Sequence, residues 1–156
     1  MTIDIRGARP DDSAWIVELV PRLHEFGPPP WRTVEQMNAA ERADLTRALA
    51  SLDEETAFFA VAERQPDAVP LGFVYVGTSV DFFTGEQHAH VKDLVVAKAG
   101  EGQGVARRLL VAAEAWTRER GYRFITLSVF PDNARALQLY ERAGYRTDVL
   151  RMLKSV

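Results

Sequence analysis

The sequence has no cysteine, only three histidines and no long apolar run. Without cysteine the chain cannot form a disulfide, offer a thiolate nucleophile or bind a metal through sulfur. His24, His88 and His90 form no HExxH motif and have no third ligand nearby, so no metal site is predicted. No segment approaches the roughly 18 apolar residues of a membrane span, and the amino terminus does not resemble a secretion signal. We therefore expect a cytoplasmic protein that does not bind a membrane.

The charge balance argues against nucleic acid as a partner. The chain carries 19 lysines and arginines against 22 aspartates and glutamates, a formal net charge of -3, so no basic surface is expected. Its 156 residues, 47% of them hydrophobic, suit one ordinary globular domain. Because no linker, repeat or low-complexity stretch interrupts the chain, we expect a single domain over residues 1–156.

Strand and helix patterns follow one another in the order β-α-α-β-β-β-α-β-α-β, which predicts an α/β (α+β) domain. The strand patterns are TIDIRGA, TAFFAVAE, PLGFVYVGTSV, HVKDLVV, YRFITLSVF and YRTDVLRMLKSV. Pro21 lies inside the first helical pattern and predicts a kink or break there. The second helix is expected from about Thr33 to Ser51, and Asp132 is expected to cap the last helix.

Three glycines, Gly100, Gly102 and Gly104, lie between the strand HVKDLVV and the next helical pattern. No Gly-Lys pair occurs, which excludes a GxxxxGK[ST] phosphate loop, and GxGxxG fails because its sixth position would be Val105 or Arg107. Bare glycine amides at a helix amino terminus can still bind an anion such as a diphosphate. The alternative is that these glycines only shape a turn.

The glycine segment and a later segment of the chain carry two motifs that occur together in one protein family. Residues 101–106 fit the pattern Q/R-x-x-G-x-G/A at its fourth and sixth positions, with Glu101 in place of the usual Gln or Arg. The segment VFPDNARALQLYERAGYR carries the second motif, formed by Asn133, Ala136, Tyr140, Gly144 and Tyr145. With this separation and this element order, the chain resembles the GCN5-related N-acetyltransferase (GNAT) family over nearly its whole length.

The resemblance implies a mixed, mostly antiparallel sheet of six to seven strands flanked by about four helices. It also implies acetyl-CoA as cosubstrate, no metal, and direct acetyl transfer to an amine of a small molecule, a peptide or a protein. Direct transfer suits a chain without a thiol nucleophile. The implied cofactor-binding residues are Leu94, Val95 and Val96 through their main chain, Glu101, Gly102, Gln103, Gly104, Val105 and Ala106 in the loop, and Asn133 and Tyr140.

The reaction needs an acid for the leaving thiolate and a base for the amine. The resemblance implies Tyr140 as the acid and His90 as the base, with Asp93, Glu86 or water as alternatives. An amine with a pKa near 10.4 is neutral in only about one molecule in 2,500 at pH 7, and a histidine near pKa 6.5 can take its proton. Strand alternation predicts His90 on the face of Leu94, with Asp93 on the opposite face.

The acceptor pocket is expected between the segments FGPPPWRT and SVDFFTGEQ. There, Trp31, Phe82 and Phe83 would form an apolar wall and Glu86 would attract a cation; the alternative is that these aromatics pack on the body of the domain. A second hypothesis for the whole chain is an acetyl-CoA-binding sensor or regulatory relative without transferase activity. Family members often pair through the final strand or helices, so the resemblance also suggests a homodimer.

Overall fold

Five strands form one sheet in the computed structural model, which describes all residues from Met1 to Val156. The strands are β1 (Thr2–Gly7), β2 (Ala57–Gln65), β3 (Val69–Val80), β4 (Gln87–Val96) and β5 (Ile125–Leu127). The α-helices are α1 (Ser13–Glu18), α2 (Val34–Ala50), α3 (Val105–Glu119) and α4 (Ala134–Arg142). Short 3-10 helices cover Pro10–Asp12, Val20–His24 and Lys98–Gly100.

The strands lie side by side in chain order. The pairs from β1 to β4 are antiparallel. β5 pairs parallel with β4, because helix α3 carries the chain back to the start of the sheet between them. The predicted mixed, mostly antiparallel α/β domain is confirmed, with five strands rather than six to seven.

Helices cover both faces of the sheet. On one face Leu109 and Ala113 of α3 join Val91 in a buried apolar cluster. On the other face Ile16 of α1 and Leu45 of α2 belong to a second cluster. Each large apolar side chain removed from water contributes about 1.5–3 kcal/mol, so the two clusters hold the sheet between the helices. None of these helices combines the length and the hydropathy that crossing a bilayer requires.

Local signals set the helix boundaries. Thr33 caps α2, because its hydroxyl accepts from the Gln36 N–H at 3.1 Å and the Gln36 side chain accepts from the Thr33 N–H at 2.9 Å. The break predicted at Pro21 is confirmed, since α1 ends at Glu18 and a 3-10 helix follows. Asp132 was the wrong cap for α4: the residue after it, Asn133, accepts from the backbone N–H three positions on, at 3.3 Å.

The strand predicted over residues 145–156 does not form. Residues 146–156 have no regular secondary structure, and Val149, Leu150 and Met152 are 73%, 79% and 91% exposed. β5 is also shorter than the predicted YRFITLSVF, because its pairing with β4 ends at Leu127. A strand needs a neighbour for its main-chain hydrogen bonds. Periodicity within a segment cannot tell whether such a neighbour exists in the same chain.

Candidate functional site

The sheet is split where β4 continues past β5. Residues 89–91 of β4 pair with residues 125–127 of β5, and β4 then runs on to Val96 without a neighbour on that side. Parallel strands that part in this way expose main-chain donors and acceptors on the edge of the longer one. An extended ligand can therefore bind along β4 as an additional strand would.

The exposed main-chain groups of β4 can be identified from one hydrogen bond. The Ala97 N–H donates to the Leu71 carbonyl oxygen, on the β3 side, at 2.8 Å. Because successive peptide groups of an antiparallel strand point to opposite sides, those of Leu94 and Val96 point into the split. The main chain of Val95 instead faces β3. Of the three residues predicted to bind through their main chain, Leu94 and Val96 thus direct it into the split, where the Val96 carbonyl oxygen already accepts from the Arg22 Nε.

The three glycines between β4 and α3 have different environments. A Cβ on Gly100 would lie 2.7 Å from the Leu71 carbonyl oxygen, so this glycine allows close packing. Gly102 and Gly104 have φ of +71° and +74°, and nothing lies within 4 Å of a Cβ built on either. α3 then begins at Val105 without a side-chain cap. The first helical N–H groups are therefore free for an anion, and the two glycines leave room for it to approach the main chain.

Two arginines bind the carboxylate that begins this loop. Glu101 Oε1 accepts from Arg22 at 2.5 Å and from Arg135 at 3.2 Å. The Arg22 Nε also donates to the Val96 carbonyl oxygen at 2.7 Å, at the end of β4. Hydrogen bonding to Arg22 and Arg135 lowers the pKa of Glu101, so this carboxyl group is ionised at neutral pH.

A β-bulge in β4 determines which side chains face the acceptor side. Lys92 is an extra residue that the pairing with β3 skips, and such a residue shifts the alternation of the strand. Val91 accordingly belongs to the cluster under α3, whereas Val95 belongs to the cluster under α1 and α2. His90 and Asp93 therefore lie on the same face, toward α2. The prediction that they lie on opposite faces was wrong because it assumed a regular strand.

Asp93 of β4 lies between Glu41 of α2 and Tyr140 of α4. Asp93 is 4% exposed, and its carboxyl group lies close enough to that of Glu41 for the two to interact. Burial and the charge of Glu41 raise the pKa of Asp93 to about 8, and burial raises the pKa of Glu41. Two carboxyl groups in contact cannot both ionise readily, so the pair holds a proton at neutral pH.

Tyr140 stays protonated over the whole physiological range. Burial and the charge of Asp93 raise the pKa of its hydroxyl to about 12. Its ring packs against that of Tyr145 at 5.9 Å between centroids, which helps to fix its orientation. The side-chain oxygen of Asn133 caps α4, while its amide group makes no hydrogen bond in the protein and is available to a ligand.

His90 lies in the part of β4 that still pairs with β5. Its Nδ1 is 2.8 Å from the Thr126 hydroxyl. Burial, with smaller contributions from the charges of His88 and Lys92, lowers the pKa of His90. The imidazole is thus neutral at pH 7 and is able to accept a proton through its other nitrogen.

The residues predicted for the acceptor pocket are not in contact with one another as a group. Phe82 and Phe83 lie at the tip between β3 and β4, 92% and 86% exposed, and their rings contact each other edge to face at 5.3 Å. Trp31 is 55% exposed. Glu86 forms an ion pair with Arg123 at 3.0 Å, which reduces the charge it can offer a cation. A role in acceptor binding stays a prediction for all four.

Sequence reasoning missed three residues of this site, Glu41, Arg22 and Arg135. Glu41 had a usable signal, because it precedes the buried Leu45 by one helical turn and so lies on the inward face of α2. Arg22 had none, since its partner Glu101 is 79 residues away in the chain. Contacts of this range depend on the assembled fold.

Comparisons with known proteins agree with this geometry. The family model described as "Acetyltransferase (GNAT) family" matches residues 20–145. YhfO, an uncharacterized N-acetyltransferase of Bacillus subtilis, is 26% identical over 146 residues, 94% of this chain and 91% of that protein. A Pyrococcus furiosus protein assigned as an acetyl transferase is 26% identical, with a TM-score of 0.79 over 99% of this chain and 100% of that one. AAC(6')-Iy, in complex with the bisubstrate analogue CoA-S-monomethyl-acetylneamine, has the same fold: TM-score 0.70, 20% identity and 100% coverage of both chains.

Proposed function

The chain belongs to the acetyltransferase (GNAT) family, and from that premise we propose that it transfers an acetyl group from acetyl-CoA directly to an amine. The acceptor is a small molecule, a peptide or a protein. The observation that carries this proposal is the joint presence of the open glycine loop before α3 and the split beside β4. The first fits a diphosphate and the second fits the extended arm attached to it.

In this proposal each part of the cofactor meets a different part of the chain. The diphosphate binds the main-chain N–H groups of residues 102–106. Glu101 contributes indirectly, because it holds two arginines beside the loop. The pantetheine arm lies along Leu94 and Val96, whose peptide groups point into the split, and the Asn133 amide donates to it. A main-chain N–H of β4 polarises the acetyl carbonyl, as an oxyanion hole does.

Two protons have to move while the carbon–nitrogen bond forms and the carbon–sulfur bond breaks. The leaving sulfur gains one, and the Tyr140 hydroxyl is the proposed donor because its raised pKa keeps it protonated. The acceptor nitrogen loses the other. His90 is the proposed base, and it is neutral at pH 7.

The buried pair of Asp93 and Glu41 is the alternative proton acceptor. Two observations support this alternative: the bulge turns Asp93 toward α2, and the charge of Asp93 contributes to the raised pKa of Tyr140. A base with a pKa near that of Asp93, about 8, is also suited to an amine. If Asp93 is the base, the low-pH limb of the rate profile follows Asp93 rather than His90.

The function is tested by measuring thiol release from acetyl-CoA over a panel of amines, together with the melting temperature in coenzyme A. We expect coenzyme A to raise the melting temperature, because it binds only the folded state, and at least one amine class to release thiol. Stabilisation by coenzyme A without thiol release from any amine would support the sensor hypothesis instead. No stabilisation at all would contradict both.

We further propose that two copies form a homodimer through residues 146–156, called the tail below. The tail exposes Val149, Leu150 and Met152, and no residue beyond Tyr145 takes part in a hydrogen bond within the chain. β5 meanwhile has a neighbour on one side only. A tail from a second copy, placed along the open edge of β5, would pair the main-chain groups of the tail with those of β5. It would also remove the apolar side chains of the tail from water.

Light scattering after size exclusion tests the dimer. We expect the intact chain at twice its mass of 17.5 kDa and a variant that ends at Tyr145 at the single mass. A double change of Leu150 and Met152 to lysine is the second variant, and it should also give the single mass. An intact chain that stays monomeric at tens of micromolar would overturn the proposal.

A further inference from the structure

The charge at the start of the glycine loop has the wrong sign for a diphosphate. Glu101 precedes the open amides of residues 102–106, and its carboxylate is ionised. An isolated carboxylate there would repel a phosphate group at close range. Glu101 is not isolated, however, because one of its oxygens accepts from both Arg22 and Arg135.

The two arginines differ in how firmly they are held. Arg22 is anchored on three sides: it donates to Val96 at 2.7 Å, to Glu101 at 2.5 Å and to Glu25 at 3.1 Å. Its side chain is 20% exposed. Arg135 has Glu101 as its one side-chain partner, at the longer distance of 3.2 Å, and its side chain is 75% exposed. Arg22 is thus fixed, whereas Arg135 is free to change partner.

We propose that Arg135 supplies the cationic contact for the cofactor diphosphate, and that Glu101, itself bound by Arg22, is an internal anion that keeps Arg135 beside the loop. The inference rests on the proposed binding of coenzyme A. When the diphosphate binds, Arg135 turns from Glu101 to a phosphate oxygen, and Arg22 stays on Glu101 and Val96. Guanidinium groups suit this role because they donate several hydrogen bonds to phosphate in a fixed geometry.

The arrangement places the positive charge on two other elements instead of on the loop. Arg22 comes from the 3-10 helix that follows α1, and Arg135 from the first turn of α4. The same helix α4 carries Asn133 and Tyr140, so a diphosphate contact by Arg135 would link cofactor binding to the position of α4. Arg135 is therefore a positioning residue as well as a binding residue in this account.

The test is calorimetric titration of the full chain with coenzyme A and with 3'-dephospho-coenzyme A. Arg135→Ala should weaken both ligands by about tenfold, the loss expected for one charge-assisted hydrogen bond. Arg118→Ala is the matched control, because Arg118 is 70% exposed and also has one carboxylate partner; its affinities should equal those of the wild type. Arg135→Gln gives a second variant that keeps a polar side chain, and it should show the same loss.

The outcomes separate this inference from the proposed function. If the wild type binds coenzyme A and Arg135→Ala binds both ligands equally well, the role of Arg135 is wrong and the proposed function stands. A loss confined to coenzyme A would assign Arg135 to the 3'-phosphate and overturn the diphosphate contact. Absence of coenzyme A binding by the wild type would remove the proposed function itself.

Discussion

Asp93→Asn should make the stability of the protein less dependent on pH. The pKa of Asp93 is raised from 3.8 to about 8, so between these values the folded state binds a proton that the unfolded state has released. Stability from this group is complete below about pH 4 and is lost as the pH rises through the folded pKa. Asparagine cannot ionise, so the variant does not show this loss.

The size of the effect follows from the linkage relation. Each pH unit between the two pKa values costs up to about 1.4 kcal/mol. Between pH 5 and pH 8 the Asp93 contribution therefore falls by at most about 4 kcal/mol. Because Asp93 and Glu41 share a proton, part of the change in proton binding belongs to Glu41, which makes the loss of stability assigned to Asp93 smaller. We expect a difference of about 2 kcal/mol between wild type and variant over this range.

Urea unfolding at pH 5 and pH 8, followed by tryptophan fluorescence, measures the difference. The comparison with the variant cancels the contribution of His24, whose lowered pKa makes stability rise with pH. Asp132→Asn, at an exposed site, is the control and should behave as the wild type. If Asp93→Asn and the wild type change equally between the two pH values, Asp93 is not the carboxyl group that holds the buried proton.

Four further outcomes follow from the site. Tyr140→Phe should lower kcat about 100-fold while the affinity for coenzyme A stays the same; an unchanged kcat would remove Tyr140 from the mechanism. His90→Gln should abolish the low-pH limb of the kcat/KM profile, and an identical profile would transfer the role to Asp93. Gly104→Val should eliminate coenzyme A binding in calorimetry, because a φ of +74° disfavours a branched side chain and the valine would fill the open space proposed for the diphosphate. Trp31→Ala should raise KM for the amine alone, and no change would exclude Trp31 from the acceptor pocket.

Much of the fold was predictable because its signals are local. Thr33 with Gln36 marks the start of α2, Pro21 marks the break after α1, and the glycine loop lies where α3 begins. These features depend on a few neighbouring residues and on the conformations they allow. The order of strand and helix patterns then restricted the domain to one α/β architecture.

The features that could not be predicted depend on contacts between distant parts of the chain. The bulge at Lys92 exists only in the pairing of β4 with β3, and it moves Asp93 to the face of His90. The tail has the pattern of a strand, yet no partner strand in its own chain. Glu101 departs from the expected motif, and only the structure shows that its negative charge is paired with Arg22. The periodicity of a single sequence carries no information on the bulge, on the missing partner strand or on the Glu101–Arg22 ion pair.

The central claim is that main-chain N–H groups between residues 101 and 106 bind the cofactor diphosphate. Its most direct test is a titration of the isotope-labelled protein with coenzyme A, observed through the backbone amide resonances. We predict the largest shifts at Gly102, Gly104 and Val105, with smaller ones at Leu94 and Val96. Saturable binding that leaves the loop amides unshifted, or no binding at all, would contradict the account.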